Sequence, residues 1–217
     1  MDNILDKFGL YDFFGLLIPG MYFLFVLDFL NIPQIMGIQY PANEGIMVVA
    51  FLVFSYLMGT LIQEVASLLD RKFKWRDEAK GCYLNKSGKI LSGKELQEIQ
   101  GFLKGRFGKI DFENSEDNET LFKKMKASME NQDKMEKADK YDAIYAMSRD
   151  LFVGNIFLFI VAVANIVINL LKSDFSVLSV MVCLVCGVSI PIFYFRAREY
   201  AKKRVRTIVR QYMRLRK

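Results

Sequence analysis

The chain has 217 residues, of which 53% are hydrophobic and 14% aromatic, and its net charge at pH 7 is +6. This apolar content exceeds that of ordinary soluble domains and is typical of a small membrane protein with a polar insert. The absence of histidine excludes the commonest general base, the Ser–His and Cys–His nucleophile pairs, and the commonest metal ligand.

Four hydrophobic runs, each close to the roughly 20 residues that cross a bilayer, follow one another along the chain. They cover residues 13–30, 45–69, 151–171 and 177–195. The first run has no basic leader and no small-residue cleavage site, and it is too long for a signal peptide. The sequence therefore predicts an all-α membrane protein with four transmembrane helices.

Basic residues near the ends of spans predict the orientation of those spans. The link at 31–43 carries no charge and the link at 172–174 carries one lysine, whereas the segment from Arg71 to Arg149 carries 18 Lys or Arg and the segment after residue 195 carries ten. Both basic segments and both termini are therefore expected on the cytoplasmic side.

This topology divides the chain into four predicted parts. They are a transmembrane hairpin at 1–69, a mostly helical cytosolic insert at 70–149, a second transmembrane hairpin at 150–195 and a basic amphipathic cytosolic helix at 196–217.

The insert shows helical periodicity in two places and an acidic stretch between them. Leu96, Ile99 and Leu103 fall on one face of a first helix, and Phe122, Met125 and Met129 on one face of a second, which is expected to begin near Thr120. Residues 112–119 are expected to form an acidic loop. A longer helix is expected to begin at Lys134 and to continue into the third span.

Asparagine is the informative polar residue of the third span, because lipid makes polar side chains costly. The three are Asn155, Asn165 and Asn169, and the last two share one helix face. Two interpretations stay open. These amides form hydrogen bonds between helices, or they line a pore.

The last segment has apolar residues spaced four, three, four and three apart, which is typical of a coiled-coil seam. They are Ala201, Val205, Ile208, Tyr212 and Leu215. The seam is expected to pack against copies of itself or against helices of the insert. Two other readings are a helix lying on anionic lipid and a basic face that binds nucleic acid. No Gly or Pro lies between Arg196 and Lys217, so a helix continuous with the fourth span is favoured.

Several arginines are candidates for binding a partner or ligand. They are Arg206, Arg210 and Arg214 in the tail, Arg71 and Arg76 after the second span, and Arg149 before the third. The insert balances 18 cations with 15 acids, so a protein partner is preferred over a nucleotide or nucleic acid.

No cofactor, metal site or catalytic residue is expected, and the chain is predicted not to be an enzyme. It has no Gly-rich phosphate loop, nucleophile elbow or repeated carboxylate spacing. Cys82, Cys183 and Cys186 are interpreted as structural, because the last two lie within an apolar run where thiols behave as small hydrophobes.

The order of the spans, the position of the insert and the junction ADKYDAIYAMSRDLF at 138–152 resemble small bacterial inner-membrane proteins of anti-phage defence systems. The transmembrane subunit of Kiwa and the channel-type effectors of nucleotide-signalling defences are of this kind. The resemblance implies a homo-oligomer that works with a cytosolic protein partner. A tetramer is the first expectation for the number of subunits, and membrane lipid is a further expected partner.

The sequence thus predicts a non-enzymatic, homo-oligomeric inner-membrane protein that couples a cytosolic partner or ligand to a membrane response. An antiviral defence sensor that docks a soluble partner is the first hypothesis. A ligand- or partner-gated ion channel that disrupts the membrane potential is the alternative.

Overall fold

A computed structural model describes residues 9–35, 37, 43–85, 90–91, 93–108, 110–132, 134–172 and 176–216. The regular structure of these residues is helical, and they contain no strand. The chain ends at 1–8 and 217, and the central parts of the two predicted outer links, lie outside the described residues.

Nine α-helices and one π-helical turn lie in the described part of the chain. They are α1 (Leu10–Asp12), the π-helical turn (Phe13–Leu17), α2 (Ile18–Phe29), α3 (Ile32–Ile35), α4 (Glu44–Phe73), α5 (Trp75–Gly81), α6 (Gly93–Phe107), α7 (Ser115–Glu130), α8 (Glu136–Leu171) and α9 (Val177–Arg216).

Three helices are long and apolar enough to cross a membrane, as judged by length and composition: α4, α8 and α9. They contain the second, third and fourth predicted spans, and α8 ends and α9 begins where those spans were expected to end and begin. The first predicted span corresponds to the shorter apolar stretch Phe13–Phe29. A fourth span therefore stays a prediction.

The chain forms two compact units. Unit 1 contains Met1–Leu69 and Ala143–Ala197, and unit 2 contains Asp70–Asp142 and Arg198–Lys217. Each of the three long helices contributes residues to both units. Unit 2 thus combines most of the predicted insert with the tail, while the last seven residues of the predicted insert belong to unit 1.

Unit 1 contains a very close approach between its first apolar stretch and α4. A Cβ atom at Gly20 would lie 1.8 Å from the carbonyl oxygen of Ser55, and one at Gly59 would lie 2.0 Å from that of Leu16. Two backbones approach so closely only where side chains are absent or small, as in the small-xxx-small pattern that Ser55 and Gly59 form.

The outward faces of the long helices in unit 1 carry large apolar side chains. Val49 is 62% exposed on α4, Ile160 is 58% exposed on α8 and Leu184 is 65% exposed on α9. Their exposed neighbours include Val53, Leu57 and Leu61 on α4, Val163 and Val167 on α8, and Met181, Val188 and Ile192 on α9. Contiguous apolar faces of this size suit hydrocarbon rather than water.

The core of unit 2 contains the two apolar faces that the periodicity predicts. Leu96, Ile99 and Leu103 of α6 and Phe122, Met125 and Met129 of α7 are buried. Tyr83, which is 1% exposed, packs its ring 6.0 Å from that of Phe122. Burial raises the pKa of the Tyr83 hydroxyl well above its ordinary value, so this phenol stays neutral.

The predicted acidic loop at 112–119 is wrong in its second half, because α7 begins at Ser115 rather than near Thr120. The Asn114 side chain caps this helix by accepting a 2.9 Å hydrogen bond from the backbone N–H of Glu116. Glu116 and Asp117 then lie in the first turn, where the helix dipole favours negative charge. The short helix α5 was not expected from the sequence either.

Candidate functional site

The tail helix, defined as residues 198–216 of α9, packs against the insert within unit 2. Four of its five predicted seam residues are at most 3% exposed, and only Leu215, at 39%, is open to solvent. The Tyr212 ring meets that of Phe102 in α6 at a centroid distance of 6.5 Å. The seam therefore packs against the chain's own insert. Of the two packing partners that the sequence left open, copies of the seam or helices of the insert, the structure has the insert.

Asp142 holds two arginines from different segments of unit 2. One carboxylate oxygen lies 3.1 Å from Nη2 of Arg76 and the other lies 3.2 Å from Nη2 of Arg204. The Arg204 side chain is 10% exposed and that of Asp142 is 19% exposed, so solvent screens these pairs only in part. Asp142 therefore ties the tail helix, α5 and α8 together.

Further polar contacts follow along the tail helix. Arg198 pairs with Glu78 at 3.0 Å, and Nε of Arg206 donates a 2.6 Å hydrogen bond to the carbonyl of Ile90. Arg210 donates hydrogen bonds to both carboxylate oxygens of Glu95, with an Nη2–Oε2 distance of 3.0 Å. That hydrogen bond raises the pKa of the Arg210 guanidinium. The basic face of the tail is thus largely engaged within the unit.

The six arginines expected to bind a partner do not form one cluster. Arg76, Arg206 and Arg210 make the contacts above. Arg149 is buried in unit 1, where its Nε lies 2.8 Å from Asp150. Arg71 and Arg214 are exposed and make no hydrogen bond or ion pair within the described part of the chain.

The asparagines of α8 point into unit 1 to different degrees. Asn155 is fully buried, accepts a 2.8 Å hydrogen bond from the Tyr22 hydroxyl and donates to the carbonyl of Leu151 at 2.7 Å. Asn165 is 6% exposed and donates to the Ser179 hydroxyl at 3.1 Å. Asn169 is half-buried. The first two amides thus bond across helices within one chain, which is the interhelical interpretation.

Sequence reasoning did not identify Asp142, Tyr22 or Ser179 as members of these networks. The signals were present in part, since Tyr22 and Ser179 carry hydroxyls inside apolar runs, where a polar group needs a partner. Asp142 lies in a helix of mixed charge, and nothing in its local pattern distinguishes it from its acidic neighbours.

Unit 2 also carries an open, mixed-charge groove beside α5. It is lined by Lys74, Glu78, Ser115 and Glu119. Cys82 directly follows α5 in the chain and is half-exposed. Burial together with the charge of Glu78 raises the pKa of its thiol. Among the residues that the structure describes, no three His, Cys, Asp or Glu are grouped so that they could hold a metal ion.

Comparison with protein-family models found no match, and comparisons with curated proteins and with solved structures found none either.

Proposed function

We propose that the chain is a non-enzymatic, four-span protein of the bacterial inner membrane whose cytosolic unit docks a soluble protein partner. The protein acts as a homo-oligomer and passes the docking event to its membrane helices. Defence against phage is the biological setting that the resemblance of its layout favours.

The composition of unit 2 supports the topology. If α8 and α9 both cross the membrane, the insert before α8 and the tail after α9 emerge on the same side. Their assembly into one compact unit, joined by Arg198–Glu78 and Arg204–Asp142, agrees with this requirement. The excess of Lys and Arg in these segments favours the cytoplasm.

The stretch Phe13–Phe29 is the fourth span in this proposal. Its 17 residues cover about 25 Å as a helix, somewhat less than the hydrocarbon core of about 30 Å. The backbone contact of Gly20 and Gly59 with their neighbours holds it against α4, which has the full length. An even number of spans then leaves both ends of the chain in the cytoplasm.

One observation favours a docking anchor over a channel: Asn155 and Asn165 of α8 point inward, and large apolar side chains dominate the outward faces of the long helices. Asn155 and Asn165 use their amides within the chain, while residues such as Ile160 and Leu184 face outward. A pore formed between copies would need a polar stripe on an outward face. Copies are expected to meet through membrane helices, because the tail seam is covered by the insert.

The docking surface assigned in this proposal is the acidic start of α7. Glu113, Glu116 and Asp117 are exposed, and their carboxylates are not used in the cap, which engages only backbone N–H groups at 113 and 116. A partner with a basic patch would fit this surface.

The test has two arms. Potassium-loaded liposomes containing the protein should retain their potassium, and Asn165→Leu with Asn169→Leu should change nothing. A leak that this double variant abolishes would contradict the docking anchor in favour of the channel.

In the second arm, the protein is purified from native membranes in detergent and its soluble companions are quantified by mass spectrometry. Glu113→Gln, Glu116→Gln and Asp117→Asn together should release the companion. Lys123→Gln, Lys134→Gln and Lys137→Gln, exposed on the same unit, should retain it. Equal companion levels in both variants would exclude the α7 surface.

A further inference from the structure

The end of α4 presents cations directly after its exposed apolar face. Leu68 is 61% exposed and Phe73, at the end of the helix, is 44% exposed. Between them, Arg71 and Lys72 are exposed, and neither makes a hydrogen bond or ion pair within the described residues. A helix that leaves hydrocarbon at this point would carry both charges at the level of the lipid headgroups.

This end of the helix is held in a fixed geometry. Lys74 adopts the left-handed conformation, with φ 52° and ψ 29°, so α4 stops and α5 begins at Trp75. Across this break the rings of Phe73 and Trp75 stack at a centroid distance of 5.3 Å and an interplanar angle of 8°. Trp75 is 3% exposed, so the half-exposed Phe73 ring stacks on a side chain that is itself fixed by packing.

Nearby acids leave the two cations uncompensated. Of the neighbouring carboxylates whose side chains are described, Asp70 is 9% exposed and Glu78 is paired with Arg198 at 3.0 Å. Glu64 is exposed about two helical turns earlier on α4 and makes no ion pair with either cation within the described residues. Lys74 differs from Arg71 and Lys72, because it shares the groove with Glu78 and Glu119. The local positive surplus therefore rests on Arg71 and Lys72.

We propose that Arg71, Lys72 and Phe73 form a binding site for the headgroup of an anionic phospholipid. The guanidinium and the ammonium donate hydrogen bonds to phosphate oxygens, and the Phe73 ring lies at the boundary between headgroups and acyl chains. This inference rests on the membrane insertion of the proposed function. It reassigns Arg71, expected from the sequence to meet a protein or ligand, to lipid.

Trp75 provides the reporter, because it is the single tryptophan of the chain and stacks on Phe73. The full-length protein is reconstituted in phosphatidylcholine vesicles containing a quarter phosphatidylglycerol, with bromine on the acyl chains of one lipid or the other. Bromine quenches indole fluorescence at short range. The preference is the ratio of Trp75 quenching by brominated phosphatidylglycerol to that by brominated phosphatidylcholine, each divided by the mole fraction of that lipid. We expect a preference of about fivefold in the wild type, and we expect it to decline as salt is added.

The variant Arg71→Gln/Lys72→Gln should reduce the preference to about one. The matched control Lys134→Gln/Lys137→Gln removes two exposed cations that lie about four helical turns before the apolar part of α8, and it should keep the preference. Absence of preference in the wild type, its persistence in the first variant, or its loss in both variants would each overturn the site. Absence of any quenching would do the same.

Flotation of the vesicles on a density gradient separates the two proposals. A protein that floats without a lipid preference contradicts this site and leaves the proposed function standing. A protein that stays at the bottom contradicts membrane insertion, and the lipid site with it.

Discussion

At the scale of single residues, Gly20 determines how closely the first apolar stretch packs on α4. Gly20→Ala places a methyl group 1.8 Å from the carbonyl oxygen of Ser55, and backbone atoms cannot rotate aside as side chains do. We expect a loss of about 2–3 kcal/mol in the free energy of unfolding, measured by denaturant titration in detergent.

The matched control is Gly154→Ala in α8, where the nearest atoms to a new Cβ lie 3.9 Å away. Because alanine is the better helix former, this change should be neutral or stabilising by up to about 1 kcal/mol. If both substitutions cost the same, the close approach at Gly20 is not what limits packing there.

Cys82 offers a second test at this scale. Burial and the Glu78 carboxylate raise the pKa of its thiol, so the reactive thiolate is scarce at pH 8 and its amount increases as the pH rises toward the folded-state pKa. With Cys183→Ala and Cys186→Ala in place, alkylation at pH 8 should be slower in the folded protein than in the unfolded one.

Glu78→Gln should accelerate that alkylation at pH 8, because it removes the negative charge and also releases Arg198 from its ion pair. Both changes favour the thiolate. An unchanged or slower rate, monitored by mass spectrometry over time, would refute the electrostatic role assigned to Glu78.

At the scale of elements, Asp142 joins the tail helix to the rest of unit 2. Asp142→Asn removes the charge that faces Arg76 and Arg204 and leaves Arg204 largely buried. We expect a loss of about 2 kcal/mol in the free energy of unfolding and earlier proteolysis within residues 198–216. The exposed pair Glu136–Lys140 is the control, since solvent screens it and Glu136→Gln should leave the free energy of unfolding nearly unchanged.

Some of these elements could be predicted from the sequence and others could not. Hydrophobic length and helical spacing depend on local sequence, so the limits at Leu171 and Val177 and the buried faces of α6 and α7 were accessible. The partner of Gly20 and the double pairing of Asp142 depend on which elements meet in space. The short helix α5 was missed because a lysine in the left-handed conformation goes against its usual preference.

The candidate site was predictable to a similar extent. The spacing of its apolar residues predicted that the tail is an amphipathic helix, and four of the five predicted seam residues are buried while Leu215 is exposed. Charge alone did not reveal that Arg206 and Arg210 are engaged by Ile90 and Glu95, which lie more than a hundred residues earlier. Arg71 and Arg214 carry the same charge as Arg206 and Arg210, but they are exposed and make no hydrogen bond or ion pair within the described residues.

At the scale of the whole molecule, the central claim is that the insert and the tail form one unit in the cytosol and that the long apolar helices of unit 1 are embedded in a membrane. Two proteins with a single cysteine test this claim. The first keeps Cys82 and carries Cys183→Ala and Cys186→Ala. The second carries Cys82→Ala as well as these two substitutions, and adds Arg214→Cys. A membrane-impermeant maleimide is applied at alkaline pH to intact spheroplasts and to permeabilised ones. Neither cysteine should react in intact spheroplasts and both should react after permeabilisation, whereas labelling of either one in intact spheroplasts would contradict the account.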